Sequence, residues 1–112
     1  MGKKQIQALE SMLGSTALAL PKEGGEDPYN FGSEFHPYLL FTYEEARQDV
    51  AKLGMTELVE STISNCKTMV DEGRRKEAQD MLYATCRALS EKSGTWDEMR
   101  RMYIASNDAS IK

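Results

Sequence analysis

The sequence predicts an all-α domain: a small helical bundle centred on an antiparallel hairpin of residues 57–72 and 74–92, with a short N-terminal helix and an aromatic-rich loop ahead of it. Three observations predict this. Apolar residues recur at three- and four-residue spacing from Tyr43 to Leu89, the period of one helix face. Gly54 and Gly73 interrupt that pattern where helix ends would place them. The stripes flanking Gly73 also mirror each other, Val59, Ile63, Cys66 and Val70 before it, Ala78, Leu82, Thr85 and Leu89 after it.

Folded back at Gly73, the chain sets Val59 against Leu89, Ile63 against Thr85, Cys66 against Leu82 and Val70 against Ala78. Side chains of one helix then meet the gaps of the other along the whole length. A continuous helix would need no such mirror and would carry an internal glycine at about 1 kcal/mol relative to alanine. Local charge argues the other way. Asp71 and Glu72 would close one helix, and Arg74, Arg75 and Lys76 would open the next, each at the wrong pole of its dipole. The packing stripe outweighs that.

At 112 residues the chain predicts one domain, long enough to bury a core without disulfides or metal. Residues 1–14 read as a short helix with Ile6, Leu9, Met12 and Leu13 on one face, closed by Gly14. Residues 15–41 read as irregular: "STALALP" suits a strand or a helical turn, and "KEGGEDPYNFGSEFHP" is too rich in Gly and Pro for a regular helix. Residues 42–106 form the helical core. Thr42 and Glu45 make a capping box, Tyr43, Ala46, Val50 and Leu53 a stripe, and Gly54 a stop. Thr56 is placed to cap the next helix. After the hairpin, "SEKSG" ends its second helix, and a second capping box at Thr95 and Glu98 opens a last one carrying Trp96, Met99, Met102 and Tyr103. Residues 107–112 read as a frayed tail.

The stretch "EGRRKEAQDML", with Gly73, Ala78 and Leu82, resembles the turn and second helix of a tetratricopeptide repeat, in which a turn glycine is followed five residues on by a small alanine. Cys66 takes the small-residue position of the first helix. Thr62 and Thr85 depart from that pattern, as do the missing closing proline and the absence of a second copy. The resemblance implies a way of packing two helices.

Composition narrows the chemistry. The net charge of −4 disfavours a surface given over to nucleic acid or an anionic membrane. No run of eighteen apolar residues and no signal-peptide core is present, which predicts a cytoplasmic protein. Two cysteines and one histidine fall short of the roughly four ligands of a structural zinc site. Cys66 and Cys86 fall about a helical turn apart across the hairpin, so reduced, buried thiols are expected. Carboxylate pairs such as Glu44/Glu45 and Glu57/Glu60 are ordinary for an acidic surface helix, and His36, between Phe35 and Pro37, reads as a loop residue. No catalytic residue, cofactor or metal is expected.

Two surfaces remain. Six of the nine aromatic residues lie between 29 and 43, and Tyr29, Phe31, Phe35 and Tyr38 are candidate contacts for a partner, unless they simply cover an open edge of the core. Arg74, Arg75, Lys76, Arg100 and Arg101 are candidate contacts for phosphate or an acidic partner, although Glu77, Asp80, Asp97 and Glu98 interrupt them. Charge runs from −6 over residues 1–72 to +2 over 73–112. A helix-turn-helix around Gly54 is disfavoured, because its second helix would present Glu57 and Glu60 and no cation before Lys67. Seven methionines offer adaptable apolar contacts or core filling. The expectation is a small non-catalytic intracellular module that binds or regulates another protein, or pairs with itself. The alternative is a nucleic-acid-binding regulator using the basic residues of the C-terminal half. No membrane contact is expected.

Overall fold

The computed structural model describes residues 2–22 and 26–95. Among them are four α-helices and no strand: α1 (Gly2–Leu18), α2 (His36–Lys52), α3 (Thr56–Asp71) and α4 (Arg75–Ser93), with a π-helical turn, Phe31–Phe35, leading into α2. The fold is the expected all-α bundle. The expected last helix and tail lie outside the described residues.

Gly73 is a turn and not a kink. Its φ of 76° is left-handed, where a Cβ would crowd the following carbonyl. The Gly73 N–H donates to the Val70 carbonyl at 3.0 Å and the Arg74 N–H to the Met69 carbonyl at 2.7 Å. These are the paired bonds of a Schellman cap, and they satisfy two carbonyls that the end of α3 would otherwise leave open. Gly54 repeats the arrangement after α2, with φ 71° and bonds from Gly54 to Ala51 and from Met55 to Val50. The adverse charges at Gly73 are settled locally: the Arg74 guanidinium bridges Glu72 and Glu77, uniting the end of one helix with the start of the next.

Both hairpin stripes are buried except at Val70, which is half-buried, and Thr62, expected on the flank of α3, joins the buried set. Val59, Thr62, Ile63 and Cys66 of α3 and Ala78, Leu82, Thr85 and Leu89 of α4 face the core. Full burial of a leucine such as Leu82 contributes about 2 kcal/mol. Cys66 and Cys86 are free thiols. Burial pushes the Cys66 thiol up to about 11, and burial also raises that of Cys86, so neither is a ready nucleophile near neutral pH.

The N-terminal half differs from expectation in three ways. First, α1 does not stop at Gly14. It continues through "STAL", because Thr16 and Ala17 extend the buried face of Ile6, Leu9 and Leu13, and Pro21 follows its end. The helix packs against both α2 and α4, so it is a wall of the bundle. Its Glu10 carboxylate is buried and accepts from the Thr95 hydroxyl at 2.7 and 2.8 Å and from the Ser93 hydroxyl at 3.1 Å, clasping α1 to the end of α4.

Second, the segment 15–41, expected to be irregular, is helical at its two ends, 15–18 and 31–41, while residues 19–22 and 26–30 form no regular element. Asp27 accepts the Phe31 N–H with both carboxylate oxygens, at 2.9 and 3.0 Å, and the chain enters a π turn there. Pro37 accounts for the wide turn. It has no N–H for the Ser33 carbonyl and its ring displaces that carbonyl, so the His36 N–H bonds five residues back to Phe31. Pro37 then occupies the first turn of α2, where its missing donor costs nothing.

Third, the threonine caps are not caps. Thr42 lies inside α2 and its hydroxyl donates to the Tyr38 carbonyl at 2.9 Å. Met55, not Thr56, precedes α3, and no side chain caps that helix. The pattern-matching threonine at 42 was overridden by continuous helix through Leu39, whose side chain is fully buried.

Candidate functional site

His36 is the anchor around which the aromatic cluster is built. It is buried, in contrast to the expected loop position, and its Nε2 lies 2.9 Å from the Ile63 carbonyl on α3. A carbonyl can only accept, so Nε2 carries the proton and donates. The Phe31 ring packs against the imidazole at a centroid distance of 5.8 Å. At 2% exposure Phe31 belongs to the core, which corrects its expected place in a contact surface. Pinning these two residues turns the neighbouring aromatic side chains outward.

Those neighbours form an open apolar groove where α1 meets the start of α2. Met12 and Ser15 of α1 form one side, and Glu34, Phe35 and Tyr38 the other, around a cavity of about 370 Å³. Tyr29 stands edge-on to Phe35 at 6.1 Å, and Phe41 tilts against Tyr38 at 6.3 Å. Tyr29, Tyr38 and Phe41 are between half and two-thirds exposed. Of the four aromatic residues expected to meet a partner, three therefore come together on this face. Met12 and Glu34 were not singled out in the sequence: Met12 had been assigned to the inner face of α1, and nothing local marks Glu34.

The expected basic contacts fall into different surroundings. Arg74 is held by Glu77 and Glu72, whose hydrogen bonds raise its pKa, and Arg74 in return lowers that of Glu77. Lys76 lies 3.7 Å from Asp80 on the exposed face of α4. Arg75 lines a cavity together with Lys22, Lys76 and Gln79. Arg100 and Arg101 lie outside the described residues.

Elsewhere, the Tyr43 hydroxyl donates to Glu60 at 2.7 Å, and burial followed by this carboxylate pushes its pKa up to about 12. Among the described residues no three His, Cys, Asp or Glu side chains are grouped to hold a metal ion. Among the same residues no helix is long and apolar enough to cross a membrane.

Comparison with protein-family models, with curated proteins and with solved structures returns no match.

Proposed function

We propose that this chain is a small non-catalytic, cytoplasmic protein-binding module that receives an apolar helical segment of a partner protein in the groove between α1 and α2. The observation that carries the reading is the exposed ring set of Tyr29, Tyr38 and Phe41 around a concave apolar surface backed by Phe35. Exposed aromatics beside a groove are a recurrent basis for helix-in-groove recognition. Met12 adds a side chain that adapts to its occupant. Glu34 on the rim favours a segment carrying a Lys or Arg beside its apolar face.

The non-catalytic reading is supported by thiols held protonated and by the engagement of His36 with a backbone carbonyl. The two free cysteines accord with a reducing compartment. A nucleic-acid role has less support, because two carboxylates hold Arg74 and acidic residues interrupt the basic run along α4.

A photo-crosslinking amino acid placed at Tyr38 in cells is expected to trap a specific protein that the same group at Lys67, on α3, does not. Tyr38→Glu should then weaken binding of that purified partner by about tenfold or more, with the helical circular dichroism unchanged. Equal trapping at both positions, or unchanged affinity, overturns the reading. Trapping of a second copy of the chain, supported by light scattering, would make the occupant this protein itself.

A further inference from the structure

Lys22, beyond the last turn of α1, and Arg75 and Lys76, in the first turn of α4, are far apart in sequence but line one cavity of about 310 Å³ together with Gln79. The bundle brings them together because α1 and α4 run antiparallel. The Gln79 amide nitrogen donates to the Ala17 carbonyl at 3.0 Å, which secures this wall.

Arg75 is half-buried, and its Nε is buried without a hydrogen-bond partner. Neither the Lys22 nor the Arg75 side chain has an ion pair or hydrogen bond among the described residues. Glu72 and Glu77 are committed to Arg74, and Asp80 to Lys76, which is 85% exposed at the rim; Glu26, whose backbone carbonyl accepts the Lys22 N–H at 2.6 Å, is the nearby acid with no ion pair among the described residues. Two cations lining one cavity raise a local positive potential in a chain whose net charge is −4. The planar guanidinium offers a fork of donors that matches phosphate oxygens, and the ammonium adds a point charge beside it.

We infer that Lys22 and Arg75 form a binding site for the phosphate monoester group of a small molecule, with Lys76 closing its rim. The cavity size is that of a small-ligand site, about 300 Å³. A nucleic-acid backbone would instead want cations spaced along a groove, and Glu72, Glu77 and Asp80 break any such run here. The site is independent of the aromatic groove.

The test is a titration of the full chain with inorganic phosphate, and separately with phosphoserine, followed by the backbone amide resonances at constant ionic strength. Saturable shifts are expected at residues 22, 75, 76 and 79. Arg75→Gln should weaken binding about tenfold and Lys22→Gln about threefold, whereas Arg74→Gln and Tyr38→Glu should leave it unchanged. Arg75→Lys keeps the charge without the fork and should also weaken it, which separates recognition from loss of fold. Non-saturating shifts spread over all basic residues overturn the inference. So does an Arg74→Gln effect equal to that of Arg75→Gln, or a short oligonucleotide that binds at residues 74–76 more tightly than phosphate and with steep salt dependence.

Discussion

The Thr62 and Thr85 hydroxyls lie 2.7 Å apart in the buried seam between α3 and α4. These are the two positions at which the hairpin departs from the tetratricopeptide pattern, and the departures answer each other. The Thr62 hydroxyl also lies 2.7 Å from the Leu58 carbonyl, to which it must donate, so Thr85 is the donor across the seam. The pair is therefore unequal. Thr62→Val strands a buried Thr85 hydroxyl and is expected to cost about 1–2 kcal/mol, whereas Thr85→Val leaves Thr62 bonded to Leu58 and should cost about 0.5 kcal/mol. Urea unfolding of both variants and of the double variant checks this; equal costs for the single changes would refute the donor assignment.

Tyr43 makes stability sensitive to alkali. Its folded pKa of about 12 lies above the usual tyrosine value of 10, so folding favours the neutral phenol. That contribution is complete below about pH 10 and is lost as pH rises toward about 12. Unfolding free energy should fall through this window in the parent chain and fall less in Tyr43→Phe. The same variant should lose about 1–2 kcal/mol near neutral pH through the missing bond to Glu60. Parallel pH profiles for the two chains would sink the assignment.

Two glycines should respond with opposite sign. Gly14 sits within α1, and a Cβ there meets nothing within 4 Å. Gly14→Ala is therefore expected to stabilise by about 0.5–1 kcal/mol. Gly73 has equally open surroundings but a φ of 76°, so Gly73→Ala should destabilise by about 1 kcal/mol. Thermal melts of the two variants would separate conformational from steric effects, and a stabilised Gly73→Ala would contradict the Schellman geometry.

The hairpin was legible because its signals are local or periodic. Gly73 stops a helix through its own φ, and the stripes of Val59, Ile63 and Cys66 and of Ala78, Leu82 and Leu89 carry the helical period. The seam settles slightly off the expected register, since Thr85 bonds Thr62 while the mirror had set it against Ile63. The helical part of 15–41, residues 15–18 and 31–41, is hidden in the sequence because the glycines and prolines around it are loop-formers by composition. Pro37, though, falls in a first turn, where proline is harmless, and Asp27 supplies the acceptor that starts the helical run. The candidate site was half visible. The aromatic density around Tyr29 and Tyr38 marked the region, but sequence spacing cannot tell an inward ring such as Phe31 from an outward one.

The sequence by itself determined the helical class, the turn at Gly73 and the faces that α3 and α4 bury, since these follow from backbone preference and side-chain period within short stretches. Tertiary structure decided what depends on distant partners. It made α1 a wall of the core, with Glu10 clasped to Thr95, and it seated His36 on the Ile63 carbonyl. It also divided Arg74 from its neighbour, leaving one guanidinium between two carboxylates and the other beside Lys22. The physical reason is that burial and charge pairing are properties of neighbourhoods in space, and α1 reaches those of α2 and α4 only once the chain has closed.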